Sequence, residues 1–176
     1  MKFFVLSFLL CFNLTLAQTV YESMESEFLG TSRELKIQLP RNYEENSEKY
    51  YPLIVVFDGD YLFEVVAGNV DYYSYWEDMP EAIVVGVNQD GSRSEDCYIS
   101  MDDYLPSKTG AQFYDFIENE LLNFMSENYR TLNLRVAIGH GKTANFINYF
   151  LFKDRPVFNA LVAMSPSLSS AMEENL

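Results

Sequence analysis

Four mainly apolar runs divide the chain, and polar or turn-forming residues stop each of them. The runs are residues 52–57, 82–87, 134–138 and 160–164. Runs of this length are typical of strands that are covered on both faces of a sheet. Residues 34–39 instead alternate polar and apolar side chains strictly, which predicts a strand with one solvated face, as at a sheet edge.

The segments around these runs complete the predicted topology. Residues 21–28 alternate moderately and predict a further strand, followed by a turn at 30–32. Apolar residues recur every three to four positions in 111–128, and a second segment with this spacing begins near Lys142. Buried strands that alternate with amphipathic helices predict an α/β fold, a mostly parallel sheet flanked by helices.

The first 17 residues have the pattern of a secretory signal peptide. Lys2 supplies a positive start, residues 3–12 are apolar but too few to span a bilayer, and small residues precede Gln18. We therefore predict cleavage between Ala17 and Gln18, an exported (periplasmic or secreted) protein and one domain over residues 18–176. An uncleaved anchor is the alternative, and no other segment approaches a membrane span.

Charge and cysteine content narrow the classes of partner. The chain carries 26 acidic and 12 basic residues, a net charge of -14, so nucleic acid and anionic membrane surfaces would be repelled. The predicted mature chain keeps only Cys97 and can form no internal disulfide. Neither Asp58-Gly59-Asp60 nor residues 88–91 have the spacing of a calcium loop, so we expect no metal ion and no cofactor.

A sharp turn from strand to helix is predicted at residues 139–142. The apolar run 134–138 ends in Gly139-His140-Gly141, and the next helix begins at Lys142. Ligands of open α/β sheets bind at the carboxyl ends of the strands, so this turn is a candidate site. It looks like the G-x-S-x-G elbow that raises a catalytic serine above the sheet of α/β hydrolases.

Further segments strengthen this resemblance. In chain order they are residues 29–35 with Leu39-Pro40, 51–63, 85–88, 93–96, 116–122, 129–131, Gly139-His140 and 158–168. Their order and spacing resemble the esterase D and enterochelin-esterase-like group of α/β hydrolases. The resemblance implies an α/β-hydrolase sheet and hydrolysis of carboxylic esters by an elbow serine. It also implies that the backbone amides of Asp60, Tyr61 and Lys142 form an oxyanion hole. For residues 58–61 the alternative is a turn that simply ends the strand.

Three departures from the family's pattern bear on activity. Gly141 stands where the nucleophilic serine is expected, and Thr143 stands where the family has glycine. The family's acidic residue and histidine base follow the Ser165-Pro166 segment, whereas this sequence ends at Leu176. His140 is the only histidine and matches the residue before the nucleophile. We therefore expect no intact catalytic residue, and a sheet whose C-terminal part is missing and whose edge is open.

Several interpretations stay open at this stage. The chain could bind an ester-like small molecule, pair with a protein that covers the open edge, or be a fragment or decayed copy of a longer esterase. Gly141-Lys142-Thr143 also resembles the end of a P-loop, but that motif's first glycine would fall at Val136, inside a strand, which argues against nucleotide binding.

Other candidate groups have weaker support. Ser165 and Ser167 do not lie on an elbow and have no histidine as base, so both are expected to be strand-end hydroxyls. Nothing beside Cys97 in the sequence would lower the pKa of its thiol, so it is expected to be a partly buried structural residue. The aromatic cluster 72–76 is expected near the mouth of the cleft, to contact an aromatic or sugar-like ligand or to cap the sheet.

Overall fold

Six strands form one sheet in the computed structural model, which describes residues 18–100, 105–152 and 154–167. The predicted signal peptide lies outside these residues. The strands are β1 (Gln18–Ser26), β2 (Thr31–Leu39), β3 (Tyr51–Val56), β4 (Ile83–Val87), β5 (Thr131–His140) and β6 (Ala160–Met164). Their order across the sheet is β1-β2-β4-β3-β5-β6, with β4, β3, β5 and β6 parallel and the β1–β2 hairpin antiparallel. The predicted α/β fold with a mostly parallel sheet is confirmed.

Helices connect the parallel strands. They are α1 (Phe63–Tyr75), α2 (Arg93–Asp96), α3 (Thr109–Asp115), α4 (Leu122–Asn128) and α5 (Lys142–Ile147). The periodic segment 111–128 comprises most of α3, a π-helical stretch (Phe116–Leu121) and α4, and α5 continues as a 3-10 turn (Asn148–Phe152). In the described part of the chain, no helix is long and apolar enough to cross a membrane.

The core lies on both faces of the sheet. On one face Leu53, Val55 and Phe57 join a large cluster built from α3, α4 and α5, in which aromatic rings pack edge to face. On the other face Ile54 and Val56 pack against α1. Because both faces of β3 are covered, its residues form the continuous apolar run seen in the sequence.

The prediction that residues 34–39 form an edge strand is wrong. β1 pairs with β2 along its full length, from Gln18 opposite Leu39 to Ser26 opposite Thr31, and β1 is the outer strand. β2 does have one exposed and one buried face at its start, so its alternation reports one-sided burial and not position in the sheet. At the other side of the sheet β6 is outermost among the described strands, and its Val162 is 44% exposed.

Candidate functional site

The turn after β5 has a backbone conformation that favours glycine. β5 ends at His140, Gly141 adopts φ 59° and ψ -111°, and α5 begins at Lys142. A residue with a side chain reaches this region only at a cost of about 1–3 kcal/mol. The sharp strand-to-helix turn therefore lies where the sequence pattern places it.

The two glycines of the turn meet different surroundings. A Cβ atom on Gly139 would lie 2.8 Å from the Thr143 carbonyl carbon, so α5 packs directly onto the end of β5. A Cβ atom on Gly141 would find its nearest neighbour, Arg93 Nη2, at 3.9 Å. Position 141 thus has room for a side chain, and Gly139 does not.

Thr143 occupies the position where the family resemblance implies a glycine. Its side chain is fully buried, and its hydroxyl donates to Asp58 Oδ2 at 2.7 Å. The Thr143 hydroxyl oxygen also accepts a hydrogen bond from the backbone N–H of His140 at 2.9 Å. The hydroxyl therefore ties the end of β5 to the loop after β3, and threonine fits because both of its hydrogen-bonding functions are used.

An ion pair lies beside the turn. The Asp58 carboxylate is buried and binds Arg93 twice, with Nε–Oδ1 at 2.5 Å and Nη2–Oδ2 at 3.0 Å. Arg93 Nη2 also donates to the His140 carbonyl oxygen at 2.8 Å. The hydrogen bond to Asp58 raises the pKa of Arg93 above its ordinary value, so the guanidinium stays charged. A guanidinium whose charge Asp58 balances therefore borders the open space above Gly141.

Tyr61 and His140 form the rim of the same site. The Tyr61 hydroxyl lies 3.3 Å from Asp58 Oδ2, to which it donates, and 3.2 Å from His140 Nδ1. Burial raises the pKa of Tyr61, and the nearby charge of Asp58 raises it further, so the phenol is neutral at neutral pH. Which of Tyr61 and His140 donates in their contact depends on the tautomer of the imidazole.

The three amides predicted for an oxyanion hole differ in availability. The backbone N–H of Tyr61 donates to the Asp58 carbonyl oxygen at 3.1 Å and is used within its own turn. The backbone N–H groups of Asp60 and Lys142 have no acceptor among the described residues. The Lys142 side chain points to α2, where Nζ donates to Ser94 Oγ at 3.1 Å. Asp60 and Lys142 are thus the amides that a ligand at the elbow could use.

The remaining candidate nucleophiles have structural surroundings. Cys97 is buried, and desolvation raises the pKa of its thiol to about 12. The backbone N–H of Ser167 donates to Asn145 Oδ1 at 2.6 Å, and Ser165 lies exposed at the end of β6.

Val136 pairs with Ile54 within the sheet, where a P-loop would need a glycine. The described residues hold no group of side chains that could bind a metal ion.

The aromatic cluster 72–76 lies away from the elbow, so its expected place at the cleft mouth is wrong. α1 runs antiparallel to β3 and carries the cluster to the amino ends of the parallel strands. There the ring of Tyr75 lies 4.7 Å from the guanidinium of Arg41, which follows the end of β2. The apolar runs alone do not predict α1, because only Phe63, Ala67 and Val70 are buried among its 13 residues.

Arg93 and Thr143 are the site residues whose roles the sequence does not reveal. Their common partner, Asp58, lies 35 and 85 residues away along the chain. Arg93 follows β4 at the carboxyl ends of the parallel strands, where ligands of open α/β sheets bind. Its position in the sequence could therefore have identified it as a candidate.

The sheet, the crossover helices and the glycine elbow define the class as an α/β hydrolase fold. A family profile described as "Putative esterase" matches residues 26–172, and the chain belongs to this esterase family. No curated protein matches the sequence significantly.

Solved structures with similar folds include two of nearly 30% identity. An uncharacterised protein from Capnocytophaga ochracea is 29% identical with a TM-score of 0.83, covering 89% of this chain and 43% of that chain. An IroE-like serine hydrolase from Shewanella oneidensis is 28% identical with a TM-score of 0.80, covering 90% of this chain and 56% of that chain. This chain therefore spans about half the length of these two proteins.

Proposed function

We propose that this chain is a non-catalytic member of the esterase family. The observation that carries the proposal is Gly141, at the place where an esterase of this family needs a serine. An acyl-enzyme requires a hydroxyl or thiol at the attacking position, and glycine offers neither. The elbow keeps its shape and its open space, so the nucleophile alone is lost there.

The groups that remain at the elbow support binding of an ester-like or acyl small molecule. The amides of Asp60 and Lys142 have no acceptor in the described part of the chain, and the Arg93 guanidinium, already paired with Asp58, lies beside Gly141. Free backbone amides of this kind donate to the carbonyl oxygen of an ester. Without a nucleophile the same donors would hold an ester and leave its bond intact.

The test combines turnover with ligand-induced stabilisation, using p-nitrophenyl butyrate as the probe. We expect no release of p-nitrophenol above that of the heat-unfolded protein. We also expect a rise in melting temperature, because a ligand at about 100 times its Kd stabilises a fold by about 2.7 kcal/mol. Turnover by the folded protein, or the absence of any stabilisation, would refute the proposal.

Two variants at the elbow separate the hydroxyl from the backbone. Gly141→Ala and Gly141→Ser both introduce a Cβ at the same φ of 59°, so they carry the same backbone strain. Only Gly141→Ser adds a nucleophile, and Gly141→Ala is its matched control. If the unsubstituted protein releases p-nitrophenol and Gly141→Ala does so equally, another residue attacks the ester and the chain is catalytic despite Gly141.

We further propose that the protein is exported after cleavage between Ala17 and Gln18. The proposal is supported by the signal-peptide pattern of residues 1–17. N-terminal sequencing of the protein from the periplasm or culture medium should begin at Gln18. A protein that retains Met1 would contradict this proposal.

A further inference from the structure

A second cleft lies at the end of the sheet opposite the elbow. Its volume is about 630 Å³, within the range of small-molecule sites, which is about 300–1,000 Å³. The walls come from the segment after β2, the loop before β3, the end of α1 and the loop before β4. β3 and β4 begin here, whereas the elbow lies at the carboxyl ends of the strands. The cleft is therefore separate from the family's catalytic position.

An oriented aromatic ring stands in this cleft. Tyr75 is 58% exposed although two neighbours fix its position. The Arg41 guanidinium lies 4.7 Å from the centroid of the ring, and the Trp76 ring meets it edge to face at 5.2 Å. An aromatic face with its negative quadrupole attracts the C–H groups on the apolar face of a sugar ring. Tyr75 thus offers a stacking platform with little left to order on binding.

The cations that line the cleft already have partners. Arg41 binds Asp71 through two hydrogen bonds of 2.7 and 2.6 Å, and Lys49 binds Glu81 at 2.5 Å. An anionic ligand would have to displace one of these carboxylates and leave its charge uncompensated. A neutral ligand can hydrogen-bond to the same groups without that cost. The paired cations therefore disfavour an anionic ligand and are compatible with an uncharged, hydroxyl-rich one.

Two polar side chains of the cleft are available for such hydroxyl groups. The Asn42 amide and the Asp78 carboxylate make no hydrogen bond within the described residues, and both line the cleft. An amide both donates and accepts, and a carboxylate accepts, so together they can bind neighbouring hydroxyls. The φ of 62° at Glu77 belongs to the turn that ends α1, in which the N–H groups of Glu77 and Asp78 donate to the carbonyl oxygens of Ser74 and Tyr73.

We propose that this cleft binds a neutral oligosaccharide. Tyr75 stacks against one sugar ring, while Asn42 and Asp78 hydrogen-bond to its hydroxyl groups. The proposal does not depend on the elbow or on the absence of catalysis there. Its failure would leave the proposed function unchanged.

The chain carries its own reporter for this site. Trp76 is the only tryptophan of the sequence, and its ring contacts Tyr75. Intrinsic tryptophan fluorescence should therefore respond to a ligand in the cleft. The probes are cellotetraose, xylotetraose, maltotetraose and laminaritetraose, with tetragalacturonate as the charged comparison, in about 150 mM salt to screen the protein's net charge. We expect a saturable change with at least one neutral tetrasaccharide at millimolar concentration or below, and none with tetragalacturonate.

Variants locate the binding within the cleft. Tyr75→Ala should weaken binding at least about tenfold by removing the stacking ring, and Tyr75→Phe should retain it. Asn42→Gly removes the amide while glycine keeps the left-handed backbone, so it should also weaken binding. Tyr72→Ala is the matched control, because Tyr72 is 59% exposed on the same helix but does not line the cleft.

Three outcomes would overturn the proposal. The first is the absence of a fluorescence response to any neutral tetrasaccharide up to about 10 mM, which would mean a binding free energy weaker than about 3 kcal/mol. The second is a response to tetragalacturonate equal to that of the neutral tetrasaccharides. The third is equal weakening by Tyr72→Ala and Tyr75→Ala, which would indicate adsorption to exposed aromatic rings in general. Circular dichroism and thermal melts establish that each variant is folded. If Tyr75→Ala does not fold, Tyr75→Phe with Asn42→Gly provides the same comparison.

Discussion

Replacing Thr143 by valine removes one oxygen atom from the elbow and changes the shape of the side chain very little. That oxygen donates to the buried Asp58 carboxylate at 2.7 Å and accepts the N–H of His140 at 2.9 Å. A hydrogen bond to a charged group contributes about 1.5–3 kcal/mol, and an amide that loses its acceptor adds about 1 kcal/mol. We expect Thr143→Val to lower the free energy of unfolding by about 2–4 kcal/mol in total.

Equilibrium urea unfolding followed by circular dichroism measures this loss. Thr143→Ser keeps the hydroxyl and deletes only a buried methyl group, so it should lose about 1 kcal/mol. Thr109→Val is the control for an exposed hydroxyl, because Thr109 Oγ1 donates to the Glu95 carbonyl oxygen at 2.7 Å near solvent, and it should lose less than about 1 kcal/mol. If Thr143→Val loses no more than Thr109→Val, or if Thr143→Ser loses as much as Thr143→Val, the hydroxyl does not hold the elbow.

Two further predictions concern the scaffold. The hydrogen bonds from Arg41 hold the pKa of Asp71 below its ordinary 3.8, so the unfolded state binds more protons and stability is lost as pH falls through the folded-state pKa. Asp71→Asn and Arg41→Gln should each reduce the fall in the free energy of unfolding between about pH 6 and pH 3, by at most about 1 kcal/mol because the pair is partly exposed. Urea unfolding at each pH measures this, and an unchanged pH dependence would contradict it. Gly139→Ala should destabilise by about 1–3 kcal/mol, because its Cβ would lie 2.8 Å from the Thr143 carbonyl carbon. Gly68→Ala in α1, where a Cβ meets nothing within 4 Å, should instead stabilise by about 0.5–1 kcal/mol, and equal effects of both substitutions in thermal melts would refute the packing argument.

The buried strands could be predicted from the sequence because each of them is a run of mainly apolar consecutive residues. The run 160–164 coincides with β6, and the runs at β3, β4 and β5 lie within a few residues of the observed bounds. α1 could not be predicted in this way, because most of its surface faces solvent and carries tyrosines. The place of β2 inside the sheet depends on its pairing with β1, which alternation does not encode.

The turn at the elbow could be predicted from the sequence, but the side-chain contacts around it could not. The turn is a local property of Gly139 and Gly141 and follows from their position after a buried strand. The ion pair of Asp58 with Arg93, and the hydrogen bond of Asp58 with Thr143, join segments far apart along the chain. Such contacts arise only when the sheet brings the carboxyl ends of its strands together. The resemblance to esterases predicts the position of the elbow, whereas the partners of Asp58 follow only from the three-dimensional structure.

The backbone at Gly141 is fixed by its neighbours and not by a side chain of its own. Its N–H donates to the Met164 carbonyl oxygen at 2.8 Å, and its carbonyl oxygen accepts from the Asn145 N–H at 3.0 Å. Natural selection for a stable fold therefore favours glycine at this position, and only selection for catalysis retains serine against that preference. Codons for glycine and serine can differ by one base. Once demand for ester hydrolysis ceases, a lineage with this fold can lose its activity in one step that its own stability favours.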